Sequence, residues 1–208
     1  MLLMLADAGD LGFKLIVDQC TGEGASLQWH WTNPCSQEVI RSRPWDYVVL
    51  QDRSGGPLEE PNSFEHHAGL LDAEIQNQGA KTVLYMTWAN RQRPETQAML
   101  TDAYTRIAEK IGAVLAPVGQ AWEAAHRIEP GLELHHRDGR HANPIGSYLA
   151  ACVFYSVLFS TSPEGLPGIF CFKGQKRLDL AKDQALLLQR AAWETVTSIW
   201  DFRFGISD

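Results

Sequence analysis

The sequence has few cysteines and no closely spaced pair among them. Its four cysteines stand at positions 20, 35, 152 and 171, and no C-x-x-C motif is present. This spacing is not typical of a zinc ribbon or of a dithiol redox site. Cys152 and Cys171 stand in apolar stretches, which predicts that they are small core residues. The cysteine pattern therefore does not require an oxidising compartment.

Positive charge is scarce as well. The formal net charge is −7, and the basic residues cluster only at residues 173–177. Nucleic acid is therefore not a predicted partner, because phosphate binding needs a positive surface. No apolar run is long enough to span a bilayer. The start, Met-Leu-Leu-Met-Leu-Ala-Asp, is too short and too soon acidic for a signal peptide, which predicts a cytoplasmic location for the chain as it begins here and leaves export of a longer form open.

Short apolar runs are what the sequence does have. With 208 residues, 45% of them hydrophobic, the chain can bury a full core, and we predict a single domain over residues 1–208. Apolar strands alternate with helical patterns, which predicts an α/β fold whose parallel sheet is covered on both faces. The predicted strands are residues 13–17, 45–50, 81–87 and 113–116, and the predicted helices are residues 2–8, 64–77, 94–111, 118–126, 144–159 and 178–200.

Polar or glycine-rich segments follow three of the predicted strands. In a parallel sheet the carboxyl ends of the strands meet at one edge, where reactive groups collect. Gly24 can bring a backbone N–H close to an oxyanion, and Gln51 can donate a side-chain amide N–H. Trp88 and Arg91 are placed for substrate contact. Each segment taken alone can equally be an ordinary turn, so the prediction depends on their sharing one edge.

A carboxylate and an imidazole stand three residues apart in the run Asp138-Gly-Arg-His141, directly before a predicted helix. Asn143 is a typical N-cap and Pro144 a typical first helical residue, so the helix is expected to begin there. Asp138 can orient His141 and stabilise its imidazolium, as the acid of a Ser-His-Asp triad does. The pair is therefore predicted to be catalytic, against the alternative of a turn aspartate beside a surface histidine.

Three segments in this order resemble the SGNH (GDSL-like) hydrolases. They are Gly24-Ala-Ser-Leu27, Trp45-Asp-Tyr-Val-Val-Leu-Gln51, and Asp138-Gly-Arg-His141 continuing through Gly146-Ser-Tyr-Leu-Ala-Ala. The resemblance extends over residues 1–165. It implies a three-layer α/β/α sandwich with a flavodoxin-like parallel sheet. It also implies an esterase, lipase or carbohydrate deacetylase that needs no cofactor.

The resemblance further implies roles for individual residues. His141 would be the general base, Asp138 its orienting partner and Gly24 a backbone oxyanion donor, with Ser26 on the same oxyanion loop. Members of the family usually have an Asn after the second of these strands. Residues 51–56 contain none, so Gln51 is the candidate substitute.

One part of the family pattern is absent from the sequence. The nucleophilic serine of these enzymes lies in a Gly-Asp-Ser or Gly-Asn-Ser segment after the first, central strand. We expect that strand and the nucleophile upstream of Met1, and a marginal or inactive chain without them. Residues 13–17 and 45–50 are expected either to pair directly in a narrowed sheet or to bind a strand from elsewhere, because unpaired buried backbone groups are costly.

The sequence also leaves alternatives to a catalytic serine upstream of Met1. Ser26 and Ser54 follow strands at the same edge, but neither stands in the sharp strand-to-helix turn that activates a serine. Zinc bound by a cluster between His135 and His141 would need no serine, although no H-x-x-x-H or H-E-x-x-H pair fixes the ligand geometry. A binding protein that retains the crevice without a nucleophile is the non-enzymatic alternative.

The expected ligand is a small-molecule or carbohydrate ester. Trp29, Trp31 and Trp88 fall in predicted loops, where aromatic rings can stack on sugars, and this favours a carbohydrate ester over a long-chain lipid. The final helix carries many apolar side chains, which either pack on the domain or form a homodimer interface. These residues are Leu178, Leu186, Leu187, Ala191, Trp193 and Trp200.

Overall fold

The computed structural model describes residues 1–204, which form two compact units. The sheet unit comprises Ile16–Ala89 and Pro94–Ala116, and the helical unit comprises Met1–Leu15, Asn90–Arg93 and the chain from Pro117 onwards. That residues 1–208 act as a single domain stays a prediction.

Helices and strands alternate along most of the chain. In chain order they are α1 (Leu2–Ala8), α2 (Leu27–Thr32), α3 (Pro34–Arg41), β1 (Tyr47–Leu50), α4 (Gly56–Glu59), α5 (Pro61–Asn77), β2 (Lys81–Tyr85), a 3-10 turn (Pro94–Thr96), α6 (Gln97–Ile111), β3 (Val114–Ala116), α7 (Val118–Ile128), α8 (Pro144–Phe159), β4 (Ile169–Phe172), β5 (Gln175–Asp179) and α9 (Lys182–Phe204).

The sheet unit is built on a parallel three-stranded sheet in the order β1–β2–β3. Helices α5 and α6 pack against β2 and β3, as expected where helices connect parallel strands. Within residues 1–204, β1 pairs only with β2, so its other edge has no strand beside it. The core of this unit includes the fully buried side chains of Leu71, Ile75, Leu84, Tyr104 and Ile107.

The strand predicted over residues 13–17 is wrong. These residues have no regular secondary structure, and Phe13, Ile16 and Val17 are 58%, 60% and 56% exposed. A strand is stabilised by the backbone bonds and side-chain contacts of a neighbouring strand, and this apolar run has no such neighbour in the described chain. The predicted direct pairing of residues 13–17 with residues 45–50 in a narrowed sheet is therefore wrong as well.

The other predicted strands are confirmed with bounds a few residues shorter. The short helices α2, α3 and α4 were not predicted from the periodicity, and Trp29 and Trp31 lie on α2 rather than in a loop. Local residue signals do stand at the starts of α2 and α3. Ser26 accepts the backbone N–H of Trp29 at the start of α2, and Asn33 caps α3, which begins at Pro34.

The helical unit is centred on α8, which is apolar on almost every face and buried along most of its length. Helices α1, α7 and α9 pack against it, and α7 also packs against α9. A helix that is hydrophobic all round needs this kind of enclosure. Within residues 1–204, no helix combines the length and the apolar character needed to cross a membrane.

The final helix begins four residues later than predicted. Leu178 lies in β5 of an antiparallel hairpin with β4, and α9 starts at Lys182. The hairpin was missed because its second strand is charged, with only Leu178 buried among its residues. Leu186 and Leu187 are half-buried on α9. The side chain of Trp200 lies outside the part of the chain that the structure describes.

Candidate active site

The Asp138–His141 segment forms a tight loop whose two ends are tied together. His135 and Ala142 form an isolated antiparallel bridge, and the backbone N–H of His136 donates to the carbonyl oxygen of His141 at 2.7 Å. The turn itself needs Gly139, whose φ of +71° lies in the left-handed region that side chains disfavour. The sequence Asp-Gly thus places a tight turn directly before His141.

Within this loop, Asp138 and His141 form the hydrogen bond expected from their spacing. Nδ1 of His141 lies 2.8 Å from Oδ2 of Asp138, while Oδ1 accepts the backbone N–H groups of Arg140 and His141 at 2.8 and 2.9 Å. His136 also contacts Oδ2 through its Nδ1, at 3.1 Å. The bond from His141 and the two backbone N–H groups hold the pKa of Asp138 far below its ordinary value. Asp138 is therefore a fixed anion beside the imidazole.

The His141 ring is open to solvent, with 79% of its side chain exposed. When Nδ1–H donates to the carboxylate, Nε2 carries the free lone pair that a general base requires. The pair therefore has the geometry of the His-Asp half of a catalytic triad. Its catalytic role stays a prediction.

Arg91 contacts this loop at several points. Its guanidinium forms an ion pair with Glu133 at 2.7 Å and donates to the carbonyl oxygens of His135 and His136, each at 3.2 Å. Its backbone N–H donates to the carbonyl oxygen of Gly139 at 2.9 Å. Arg91 thus makes four contacts to residues 133–139, which sequence spacing could not show, and its contact with a substrate stays a prediction.

The exit of the loop confirms the predicted helix start. Oδ1 of Asn143 accepts the backbone N–H groups of Ile145 and Gly146 at 2.8 and 2.9 Å, and Pro144 is the first residue of α8. Gly146 is required there, since a Cβ would lie 2.4 Å from the carbonyl oxygen of Leu134. The loop is thus fixed against the first turn of a buried helix.

The other predicted site residues belong to the sheet unit. Gly24 is exposed, has a φ of +64°, and donates no backbone hydrogen bond within the described residues. Ser26 is the N-cap of α2, with its Oγ 3.2 Å from the backbone nitrogen of Trp29. Gln51 is exposed directly after β1, and Trp88 is half-buried with its ring centroid 6.4 Å from that of Tyr85.

The structure thus brings Asp138 and His141 together, both in the helical unit. Gly24, Ser26 and Gln51 lie in the sheet unit around the ends of α2 and β1. That the two groups face one cleft stays a prediction.

A disulfide that the sequence did not reveal encloses the candidate oxyanion loop. Cys20 and Cys35 are bonded with their Cα atoms 6.0 Å apart, and the segment between them contains Gly24 and all of α2. Of the two free cysteines, Cys152 is buried as predicted. The core prediction for Cys171 is wrong, because it lies exposed on a hairpin strand.

The zinc alternative receives no support from the geometry. Among residues 1–204, no group of three or more His, Cys, Asp or Glu side chains is arranged to hold a metal ion. His135 packs edge-on against Trp122, with ring centroids 4.8 Å apart, while His136 and His141 both face Asp138. The histidines between positions 135 and 141 are therefore engaged in other contacts.

Comparisons with known proteins identify solved structures with a similar fold. No family model matches the chain, and no curated protein matches it. The crystal structure of a DUF4886 family protein from Bacteroides uniformis is similar, with a TM-score of 0.74 and 18% identity over 95% of this chain and 88% of that chain. A proposed SGNH hydrolase from Slackia heliotrinireducens is similar with a TM-score of 0.57 and 28% identity over 65% of this chain and 80% of that chain. The chain therefore has an α/β fold with a parallel three-stranded sheet, consistent with the α/β/α fold of SGNH type.

Proposed function

We propose that this protein is an ester hydrolase of SGNH type in which His141 is the general base and Asp138 orients it. The observation that carries the proposal is the 2.8 Å bond between Nδ1 of His141 and Oδ2 of Asp138, with the rest of the imidazole exposed. The likeness to a proposed SGNH hydrolase gives independent support.

The chemistry is an acyl transfer in two steps. A serine Oγ attacks the acyl carbonyl carbon while Nε2 of His141 takes its proton, and the imidazolium is stabilised by the anionic Asp138. The imidazolium then protonates the departing alcohol, and the acyl group stays on the serine. In the second step Nε2 takes a proton from water, whose oxygen attacks the acyl carbon; the acyl–Oγ bond then breaks, the imidazolium returns the proton to the serine Oγ, and the acid leaves. The exposed N–H of Gly24 is proposed to stabilise the oxyanion in both steps.

We propose that the nucleophilic serine is carried by a strand that pairs with the free edge of β1, encoded upstream of Met1. One feature of the sheet unit supports this: along residues 1–204, that edge of β1 has no strand beside it. Ser26 is a weaker candidate because its Oγ already caps α2. Ser54 is exposed in the loop after β1, outside a sharp strand-to-helix turn.

The test is hydrolysis of p-nitrophenyl acetate by the chain with and without the in-frame upstream codons. The longer form is expected to hydrolyse the ester and the shorter form to stay near background, because removal of a triad serine leaves only residual catalysis. In the longer form, His141→Ala is expected to abolish turnover, and a chelator is expected to leave it unchanged.

His66→Ala is the matched control, since His66 is also an exposed histidine but lies on α5. His136→Ala separates the two imidazoles that contact Asp138. If His136→Ala abolishes turnover and His141→Ala does not, the assignment of the base is wrong. If the longer form lacks turnover altogether on aryl and sugar acetates, the non-enzymatic alternative replaces the proposal.

A further inference from the structure

Asp52 is a buried carboxylate that the proposed mechanism does not use. It stands two residues after β1, only 4% of it is exposed, and its Oδ2 accepts the backbone N–H of Leu27 at 2.9 Å. Its Oδ1 is fully buried and has no hydrogen-bond partner of good geometry within residues 1–204. The backbone N–H of Arg53 lies near enough to act on the carboxylate, but the bond from Leu27 is the one with good geometry. A buried carboxylate with so few partners is costly to retain, so its position calls for an explanation.

The surrounding backbone is shaped to admit this carboxylate. A Cβ placed on Gly56, the first residue of α4, would lie 1.8 Å from Oδ1 of Asp52. Any other residue at position 56 would therefore displace the carboxylate or α4. Substitution of either Gly56 or Asp52 is therefore expected to disturb the position of the carboxylate.

The partner of Asp52 is the segment that carries the candidate oxyanion donor. Leu27 is the first residue of α2, whose early N–H groups have no acceptor inside the helix. Ser26 accepts the N–H of Trp29, and Asp52 accepts that of Leu27, so the start of α2 is held by two side chains. Only the second of these comes from outside the segment. It thus links residues 22–27 to the end of β1.

We propose that Asp52 is a positioning residue, which holds residues 22–27 in the conformation that presents the N–H of Gly24 to the oxyanion. This inference rests on the proposed function for the role of Gly24, and on the Leu27 contact for the anchoring itself. A Cβ placed on Gly24 would have no neighbour within 4 Å, and the bond across this residue is local, from the N–H of Ala25 to the carbonyl oxygen of Gly22 at 3.2 Å. The bond from the Leu27 N–H to Asp52, three residues along the chain, ties this turn to the end of β1.

The electrostatic surroundings agree with a positioning role. Burial raises the pKa of Asp52, against the lowering effects of the Leu27 N–H, the Arg53 charge and the backbone N–H of Arg53. The charged groups that act on it are Arg53 and Glu60, and Arg53 is itself paired with Glu59 and Glu60. Tyr104, buried on α6, lies against the Asp52 backbone. At such a site the carboxylate adds little to the stability of the fold, but it supplies a hydrogen-bond acceptor directed at the Leu27 N–H.

The anchoring is tested by amide hydrogen exchange of residues 22–27 in the full chain. In Asp52→Ala and in Gly56→Ala, the amides of this segment are expected to exchange at least 10-fold faster than in the wild type, after correction with core amides of α6. Asp52→Asn is expected to retain slow exchange, because the amide oxygen can still accept the Leu27 N–H. This measurement needs no turnover.

Asp72→Ala is the matched control. Asp72 is a buried carboxylate of the same unit, 7% exposed, but it binds Thr82 and Gln76 at 2.6 and 2.8 Å. After the same correction, exchange of residues 22–27 is expected to stay unchanged in this variant. Unchanged exchange in Asp52→Ala, or equal acceleration in Asp72→Ala, would overturn the anchoring.

The catalytic consequence is tested separately in the ester-hydrolysing form. Asp52→Ala is expected to lower kcat about 100-fold with little change in KM, since a misplaced donor weakens transition-state binding alone, and Asp52→Asn is expected to restore most of it. Faster loop exchange with unchanged kcat would overturn the positioning role while leaving the proposed function intact. Loss of all turnover in the wild type would instead count against the proposed function, and the exchange result would still decide the anchoring.

Discussion

Reduction of the Cys20–Cys35 disulfide is expected to lower the stability of the protein by a predictable amount. The bond closes a loop between residues 15 apart in sequence. In the chain-entropy description, a cross-link of this length stabilises the folded state by about 3 kcal/mol, because it restricts the unfolded chain. For a protein of this size that corresponds to a melting temperature about 6–12 °C lower after reduction.

The assay is thermal unfolding of the wild type and of a Cys20→Ala/Cys35→Ala double variant, each with and without a phosphine reductant. The wild type is expected to lose stability on reduction, whereas the double variant is expected to melt at the lower temperature in both conditions. Cys171→Ser is the matched control, since Cys171 is an exposed free thiol and its loss leaves the disulfide in place.

Two results would refute this reasoning. Four reactive thiols in the denatured, unreduced protein would show that the bond does not form. Equal melting temperatures of oxidised and reduced wild type would show that the loop of residues 21–34 is already ordered in the unfolded chain or is not needed in the folded one. In the ester-hydrolysing form, the proposal also predicts that reduction lowers kcat more than it raises KM, since the bond encloses Gly24.

Three further predictions follow from other contacts. Gly146→Ala is expected to cost about 1–3 kcal/mol in urea unfolding through a clash with the Leu134 carbonyl, whereas Gly69→Ala, which meets open space on α5, is expected to be neutral or stabilising. Because the pKa of Asp52 is raised on folding, the wild type is expected to lose stability relative to Asp52→Asn as pH rises from about 3.8 through that raised value; a pH-independent difference in urea midpoint would contradict this. Light scattering is expected to give a monomer, with α9 satisfied by α7 and α8, and a dimer that Trp200→Glu dissociates would establish the homodimer instead.

The outcome for residues 13–17 shows why a strong local pattern can mislead. Phe-Lys-Leu-Ile-Val has high strand propensity, but a strand exists only when another strand completes its backbone bonds. The apolar run of residues 45–50 is also predicted to be a strand, and here β2 lies beside it and the strand forms over residues 47–50. Strand propensity is present in both runs, and the presence of a pairing strand decides which of them becomes a strand.

The sequence by itself determined the features whose causes lie within a few residues of each other. Asn143 and Pro144 start α8 because a cap acts on backbone groups two and three residues away. Asp138 meets His141 because a glycine turn folds one back on the other.

Tertiary structure decided the contacts between distant segments. The Cys20–Cys35 bond forms because the chain folds back through α2, so that Cys35 at the start of α3 lies beside Cys20. Asp52 binds Leu27, 25 positions away, because the sheet unit packs the start of α2 beside the end of β1. No residue pattern shows such an encounter, since its free energy comes from burial and packing that exist only once the chain has folded.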